Sequence, residues 1–203
     1  MKLYEEGRAP NPRRVRVFLA EKAITVERVQ VDINAKEHFT EEMLRLNPIG
    51  RLPFLVLDDG RVIAETIAIC RYFEELHPEP VLFGRDPFEK AMVEMWQRRV
   101  EQRLLDPVAQ AFRHTHPKMA PLEQPQIPAW GEANRDKAAW MLDFLNREME
   151  HRPFIAGDRF SVADITALVA VDFMKLAKLA LTEQHPHLKD WHDRVSARPS
   201  AKA

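Results

Sequence analysis

Asn11 stands between Pro10 and Pro12, where an extended N-terminal segment gives way to a helical pattern, and Arg13, Arg14 and Arg16 follow at once. Proline suits the first turn of a helix because its missing N–H would have no partner there. Asn11 is then the expected N-cap. A helix start with spare N–H groups, a polar cap and three guanidiniums favours a negative charge. A second helix start lies at Glu65-Thr66, where either residue is placed to cap. The hydroxyl and free N–H groups there suit a carboxylate, and the glutamate suits an ammonium, so the pair fits an α-amino-acid head. The stretch NPIGRLPFLVL, 47–57, adds a third feature. Pro53 opens a strand, a position where a missing N–H is tolerated because proline cannot donate to the ladder. With a cis bond to Leu52 the chain would turn sharply and leave the Leu52 N–H and C=O facing outward, able to pair with an extended peptide. An ordinary trans proline is the plain alternative.

The elements that must position these residues follow from periodicity. KLYE at 2–5 is a strand, and Val15, Phe18 and Leu19 mark a helix over 11–23. Val29, Val31 and Ile33 alternate with polar residues as a half-buried strand does. A short helix is expected at 40–46. PFLVL at 53–57 is a continuous apolar run, DDG at 58–60 is a turn and RVIA at 61–64 closes a hairpin. A helix over 65–77 follows. The first eighty residues therefore read β-α-β-α-β-β-α. PEPVLFGRDP, 78–87, has a linker's composition, and no strand pattern follows it. Phe88, Met92, Met95/Trp96, Val100, Leu104, Val108 and Phe112 form one long helical stripe, which Pro107 should kink between Gln102 and Leu105. The proline-rich 117–131 stretch is a loop or broken helix, and further helices are expected near 132–151, 161–180 and 186–198. The expected fold class is α/β plus all-α: a small domain at 1–79, then a helical bundle at 86–203.

Composition narrows the function. The 203 residues carry 30 basic and 31 acidic side chains, a balance that argues against a nucleic-acid partner. No apolar run approaches the roughly 18 residues needed to cross a bilayer, and the N-terminus does not read as a signal sequence. A cytoplasmic protein is expected. Cys70 is the single cysteine, so no internal disulfide or C-x-x-C pair exists, and its place mid-helix among apolar residues is that of an inert core thiol. His114 and His116 lie two apart, a spacing that suits no metal pair. His185 and His187 flank Pro186 and are expected to be solvated.

Taken together, the element order, NPIGRLP before a strand, the DDG hairpin, ET opening a helix and FIAGDRFSVADI at 154–165 resemble the glutathione transferase family over essentially the whole chain. In the last stretch Ser161 and Asp164 have capping-box spacing, and Phe160 and Ile165 can close a hydrophobic staple, so Asp164 reads as structural. The resemblance implies a thioredoxin-like first domain that binds glutathione, a tripeptide with an α-amino-acid head. It implies a cis bond into Pro53, Leu52 paired with the cysteinyl backbone, and Glu65 and Thr66 on the γ-glutamyl group. His38 corresponds to a position that in some classes contacts the glycyl carboxylate, with a solvated loop histidine as the alternative. Arg51 supplies either charge to the site or an ordinary surface charge.

The anion at the first helix would then be the glutathione thiolate. A free thiol with a pKa of about 8.5 is only a few per cent ionised at neutral pH, and only the thiolate attacks well. Most classes place Tyr, Ser or Cys here to hold the sulfur, but the aligned position is Ala9, which cannot donate. Asn11 is the expected thiol contact, as in nu-class-like relatives, with a plain helix cap as the alternative; Arg8 and Arg13 are expected to add charge. The resemblance implies a detoxifying transferase with glutathione as co-substrate, no metal and no further cofactor. It also implies a small apolar electrophile held by side chains such as Met95 and Phe112, and a homodimer. The alternatives are a glutathione-dependent disulfide or peroxide reductase and a non-catalytic glutathione-binding module.

Overall fold

The computed structural model describes residues 1–203, and its contacts divide the chain into two units, Met1–Val81 with Pro199–Ala203, and Leu82–Arg198. The first unit is built on a four-stranded mixed sheet in the order β2-β1-β3-β4, from β1 (Lys2–Glu5), β2 (Glu27–Gln30), β3 (Phe54–Val56) and β4 (Val62–Ala64). Its helices are α1 (Pro10–Glu21), α2 (Glu41–Leu46) and α3 (Thr66–Leu76). This is the thioredoxin-like β-α-β-α-β-β-α order expected from the sequence. β1 runs parallel to β2 and antiparallel to β3, and β3 is antiparallel to β4. Leu3 and Leu55, paired across the sheet, are wholly buried with Val15 and Phe18 of α1 and Ile69 and Phe73 of α3. Burying these apolar faces on the sheet is what holds the two helices to it.

Helices α1 and α3 are also tied by charge. On α1, Arg16 forms a buried ion pair with Glu5 at 2.7 Å, and Lys22 pairs with Glu74 of α3 at 2.7 Å. The Lys22 ammonium also donates to the carbonyls of His77 and Pro80, at 2.6 and 2.7 Å. The final residues return to α1: Arg13 donates to the Ala201 carbonyl at 3.0 Å, and Ser200 bonds to Glu21. Pro199–Lys202 therefore belongs by contact with the first unit, although periodicity alone groups it with the helical domain over 86–203.

The second unit is all helical, with α4 (Pro87–Val100), α5 (Asp106–Thr115), α6 (Pro128–Met149), α7 (Val162–Phe173) and α8 (Pro186–Ser196). The expected kink before Pro107 takes the form of a π-helical turn at Glu101–Leu105 that joins α4 to α5. A proline has no N–H to give to the preceding turn, so the hydrogen-bond ladder is interrupted there. The apolar stripe runs through the turn, with Trp96, Val100, Leu104 and Val108 buried. Phe88 departs from it and is 74% exposed. Residues four apart on a helix drift by about 40° per step, so two steps back from Trp96 the side chain has rotated off the packed face.

α7 carries the core of this unit and is buried along nearly its whole length. It starts at Ser161, whose N–H and hydroxyl both donate to the Asp164 carboxylate at 3.0 Å. The same carboxylate takes the Ile155 N–H at 2.8 Å and the Trp191 indole N–H at 2.9 Å. His185, expected in solvent, is instead buried beside α6, with Nε2 3.1 Å from Asp143 and Nδ1 accepting the Thr182 N–H. His114 is likewise buried, and its Nδ1 accepts the Ile127 N–H at 3.0 Å. Both rings are engaged in local packing. No group of three or more His, Cys, Asp or Glu is placed to hold a metal ion, and no helix is long and apolar enough to cross a membrane.

Candidate functional site

Strand register brings the candidate residues of the first unit to one end of its sheet. Tyr4 pairs with Phe54, and Phe54 pairs with Ala64. The exit of β1, the entry to β3 and the exit of β4 therefore share an edge of the molecule. The segments just beyond them are the start of α1, the Leu52-Pro53 turn and the start of α3. These are the places where a bound peptide would find unused backbone groups.

At the first of them, Ala9 and not Asn11 is the N-cap. Ala9 has extended backbone (φ −74°, ψ 144°), and its carbonyl accepts the Arg13 N–H at 3.3 Å. Pro10, already locked near helical φ, begins the helix two residues earlier than a cap at Asn11 would allow. No side chain caps this end. Asn11 lies exposed in the first turn, and its Oδ1 accepts from the Arg14 guanidinium at 3.2 Å. Arg14 itself is only 2% exposed. The approach to this helix is held by the buried Arg16, which donates to the Gly7 carbonyl at 2.8 Å while paired with Glu5. Glu5 also accepts from the Gln30 amide at 2.9 Å. Two buried charges thus fix the 6–9 loop that carries Ala9, a pairing that no local sequence signal announced.

At the second, the Leu52-Pro53 bond is cis. Leu52 is half-buried, and neither its N–H nor its carbonyl bonds to another residue, so both stay available. The turn before it is fixed by Asn47, a buried residue whose amide donates to the Arg51 carbonyl at 2.7 Å. Gly50 allows the turn because its φ is +62° and because a Cβ there would lie 2.6 Å from the Phe39 ring. His38 precedes Phe39 and is 6% exposed, with its Nδ1 buried and unpartnered. Burial, and then the positive charge of Arg51, hold its pKa below the ordinary histidine range, so the ring is neutral near pH 7.

At the third, Glu65 occupies the N-cap position of α3 with φ +70° and makes no capping bond. A non-glycine residue in that region is strained, and such strain is found where a side chain must be aimed for function. Thr66 is the first helical residue, buried, and its hydroxyl is not spent on capping α3. The N–H groups of the first turn, a hydroxyl and an exposed carboxylate are therefore offered together, as an α-amino-acid head requires.

The remaining candidates lie on the second unit. Met95 on α4 is half-buried. Phe112 on α5 is half-buried too, with its ring 5.4 Å from Phe173 and 4.9 Å from His116. Tyr4 stacks on Phe54 at 4.6 Å within the sheet, and Cys70 is buried on α3, so neither presents a hydroxyl or thiol to a ligand at the start of α1.

Known proteins share this fold. The glutathione S-transferase N-terminal domain family matches residues 9–76, and the glutathione S-transferase C-terminal domain family matches residues 110–199. Glutathione S-transferase 2 of Saccharomyces cerevisiae is 39% identical over the whole of this chain and 88% of its own length. The crystal structure of Gtt2 from that yeast superposes with a TM-score of 0.95 over 100% of this chain and 99% of its own. A glutathione S-transferase domain-containing protein of Marinobacter aquaeolei VT8 gives 0.95 at 40% identity, over 98% of this chain and 99% of its own. A glutathione S-transferase of class Gtt2 from Vibrio parahaemolyticus gives 0.88 at 35% identity, over 100% and 96%. The chain belongs to the glutathione S-transferase family and is a transferase enzyme of that family.

Proposed function

We propose that the enzyme binds glutathione at the sheet end described above and adds its thiolate to small apolar electrophiles, as a cytoplasmic, detoxifying homodimer. The observation that carries this reading is the convergence, by register, of three unspent backbone sites: the start of α1, Leu52 and the start of α3. An extended tripeptide fits such a set. Leu52 pairs with the cysteinyl backbone, while Glu65 and Thr66 take the γ-glutamyl ammonium and carboxylate. His38 donates to the glycyl carboxylate, and Arg51 adds charge at that end. Pro53, buried, sets the direction of the turn.

The sulfur then lies at the start of α1, where Ala9 offers no donor. Asn11 holds the thiolate through its amide N–H, aided by the helix N-terminus. Each unit by which the bound thiol pKa falls below about 8.5 is worth about 1.4 kcal/mol. Residues 1–79 serve as the glutathione-binding domain. The helical domain, 86–203, supplies the apolar contacts of the electrophile, Met95 and Phe112 among them. No metal or further cofactor enters this chemistry.

Turnover of the unmodified protein with glutathione and an aryl halide, beside a small disulfide and a hydroperoxide, tests the reading. Conjugation of the aryl halide is expected to dominate. Turnover of the disulfide or hydroperoxide alone would make the enzyme a glutathione-dependent reductase. Retention on immobilised glutathione with no turnover of any substrate would contradict the catalytic reading.

A further inference from the structure

We infer that Arg14 is a positioning residue for the thiol chemistry, acting through Asn11, an inference that rests on the reading of Asn11 as the thiol contact. A primary amide can face a partner with either its oxygen or its nitrogen, and only the nitrogen donates. At an exposed position nothing would choose between the two faces. Here the choice is made by Arg14. A guanidinium has donors alone, so the Asn11 atom 3.2 Å from its Nη1 must be the carbonyl oxygen. That leaves the Asn11 NH2, which bonds to no protein group, as the face presented to a ligand.

Arg14 is suited to this task. It sits one helical turn after Asn11 on α1, so the two side chains are neighbours on one face. At 2% exposure its guanidinium is confined by packing, unlike the exposed Arg8. The bond it makes is charge-assisted, which polarises the amide and makes the N–H a better donor to an anion. A site lacking the usual hydroxyl thereby gains a donor of fixed orientation. An aspartate at 11 would keep the contact with Arg14 but present only acceptors to the sulfur.

The test is the pKa of the glutathione thiol in the binary complex, read from thiolate ultraviolet absorbance across pH. Glutathione affinity is measured by calorimetry on the same samples. In Arg14→Met the bound thiol pKa is expected to rise toward that of free glutathione, and kcat/KM below that pKa to fall about tenfold for each unit of rise. Glutathione affinity is expected to stay within about threefold, because the tripeptide backbone is held elsewhere. Arg14→Lys, which keeps a buried donor and charge, is expected to restore part of the shift and keeps the question open to test if the methionine variant unfolds. Asn11→Asp is expected to lose the shift with Arg14 intact, and Asn11→Ala/Arg14→Met to be no worse than Asn11→Ala alone. An unchanged thiol pKa in a folded, glutathione-bound Arg14 variant would overturn the role of Arg14 alone, as would additive losses in the double variant. No binding of glutathione to the unmodified protein would overturn the role of Arg14 together with the reading beneath it.

Discussion

Asp164 is a carboxylate with no exposed surface, surrounded by four donors: the Ile155 N–H, the Ser161 N–H and hydroxyl, and the Trp191 indole. Burial outweighs these bonds and raises its pKa from 3.8 to about 6. Between those values the folded state binds more protons than the unfolded one, so stability falls as pH rises through this window. The urea midpoint is expected to drop from about pH 4 to about pH 6 in the unmodified protein, and this component to vanish in Asp164→Ala. That variant leaves buried donors unpaired and is expected to cost about 3–5 kcal/mol, read as a loss of urea midpoint. Asp164→Asn is also expected to be destabilising, since its amide nitrogen would face a donor. At the other site, His38→Ala is expected to weaken glutathione binding about fivefold, with kcat little changed, because the proposed binding mode sets the ring at the glycyl end, far from the sulfur. Calorimetry and steady-state rates check both halves. Asp164 was legible as a helix cap because its spacing from Ser161 is a local signal. The Glu5–Arg16 pair was not, because residues on β1 and α1 become partners only when the helix packs on the sheet.

Elements were legible where a period or a proline marked them, and their ends less so. The strands at 54–56 and 62–64 follow from an apolar run and a turn signal, whereas the start of α1 falls at Pro10 because proline's fixed φ decides it ahead of asparagine's capping preference. A π turn at Glu101–Leu105 could be foreseen only as a kink, since sequence shows that the ladder breaks at Pro107 but not how it is rejoined. The element most exposed to a single change is the turn from Asn47 to Pro53. Gly50→Ala would place a methyl 2.6 Å from the Phe39 ring on a backbone at φ +62°. It is expected to cost about 1–3 kcal/mol in thermal unfolding. It should also raise KM for glutathione with a smaller effect on kcat, because the turn that presents Leu52 would move while the start of α1 would not.

The chain as a whole is more entangled than its two-part reading implies, because residues 199–203 return to the first unit. No periodicity signals that return, which buries Ser200 and Ala201 and includes a bond from Arg13 to the Ala201 carbonyl and one from the Ser200 hydroxyl to Glu21. Removal of these five residues is expected to lower the melting temperature and to weaken glutathione binding, since both contacts brace α1; calorimetry on the truncated chain checks this. The central claim is that one end of the first sheet grips glutathione and ionises its thiol without a hydroxyl or thiol from the protein. A crystal structure of the glutathione complex at neutral pH tests it most directly. The cysteinyl backbone is expected on Leu52, the γ-glutamyl head at Glu65-Thr66, and the sulfur within hydrogen-bond reach of the Asn11 amide nitrogen. A sulfur held by any other group, or a tripeptide bound away from Leu52, would contradict the account.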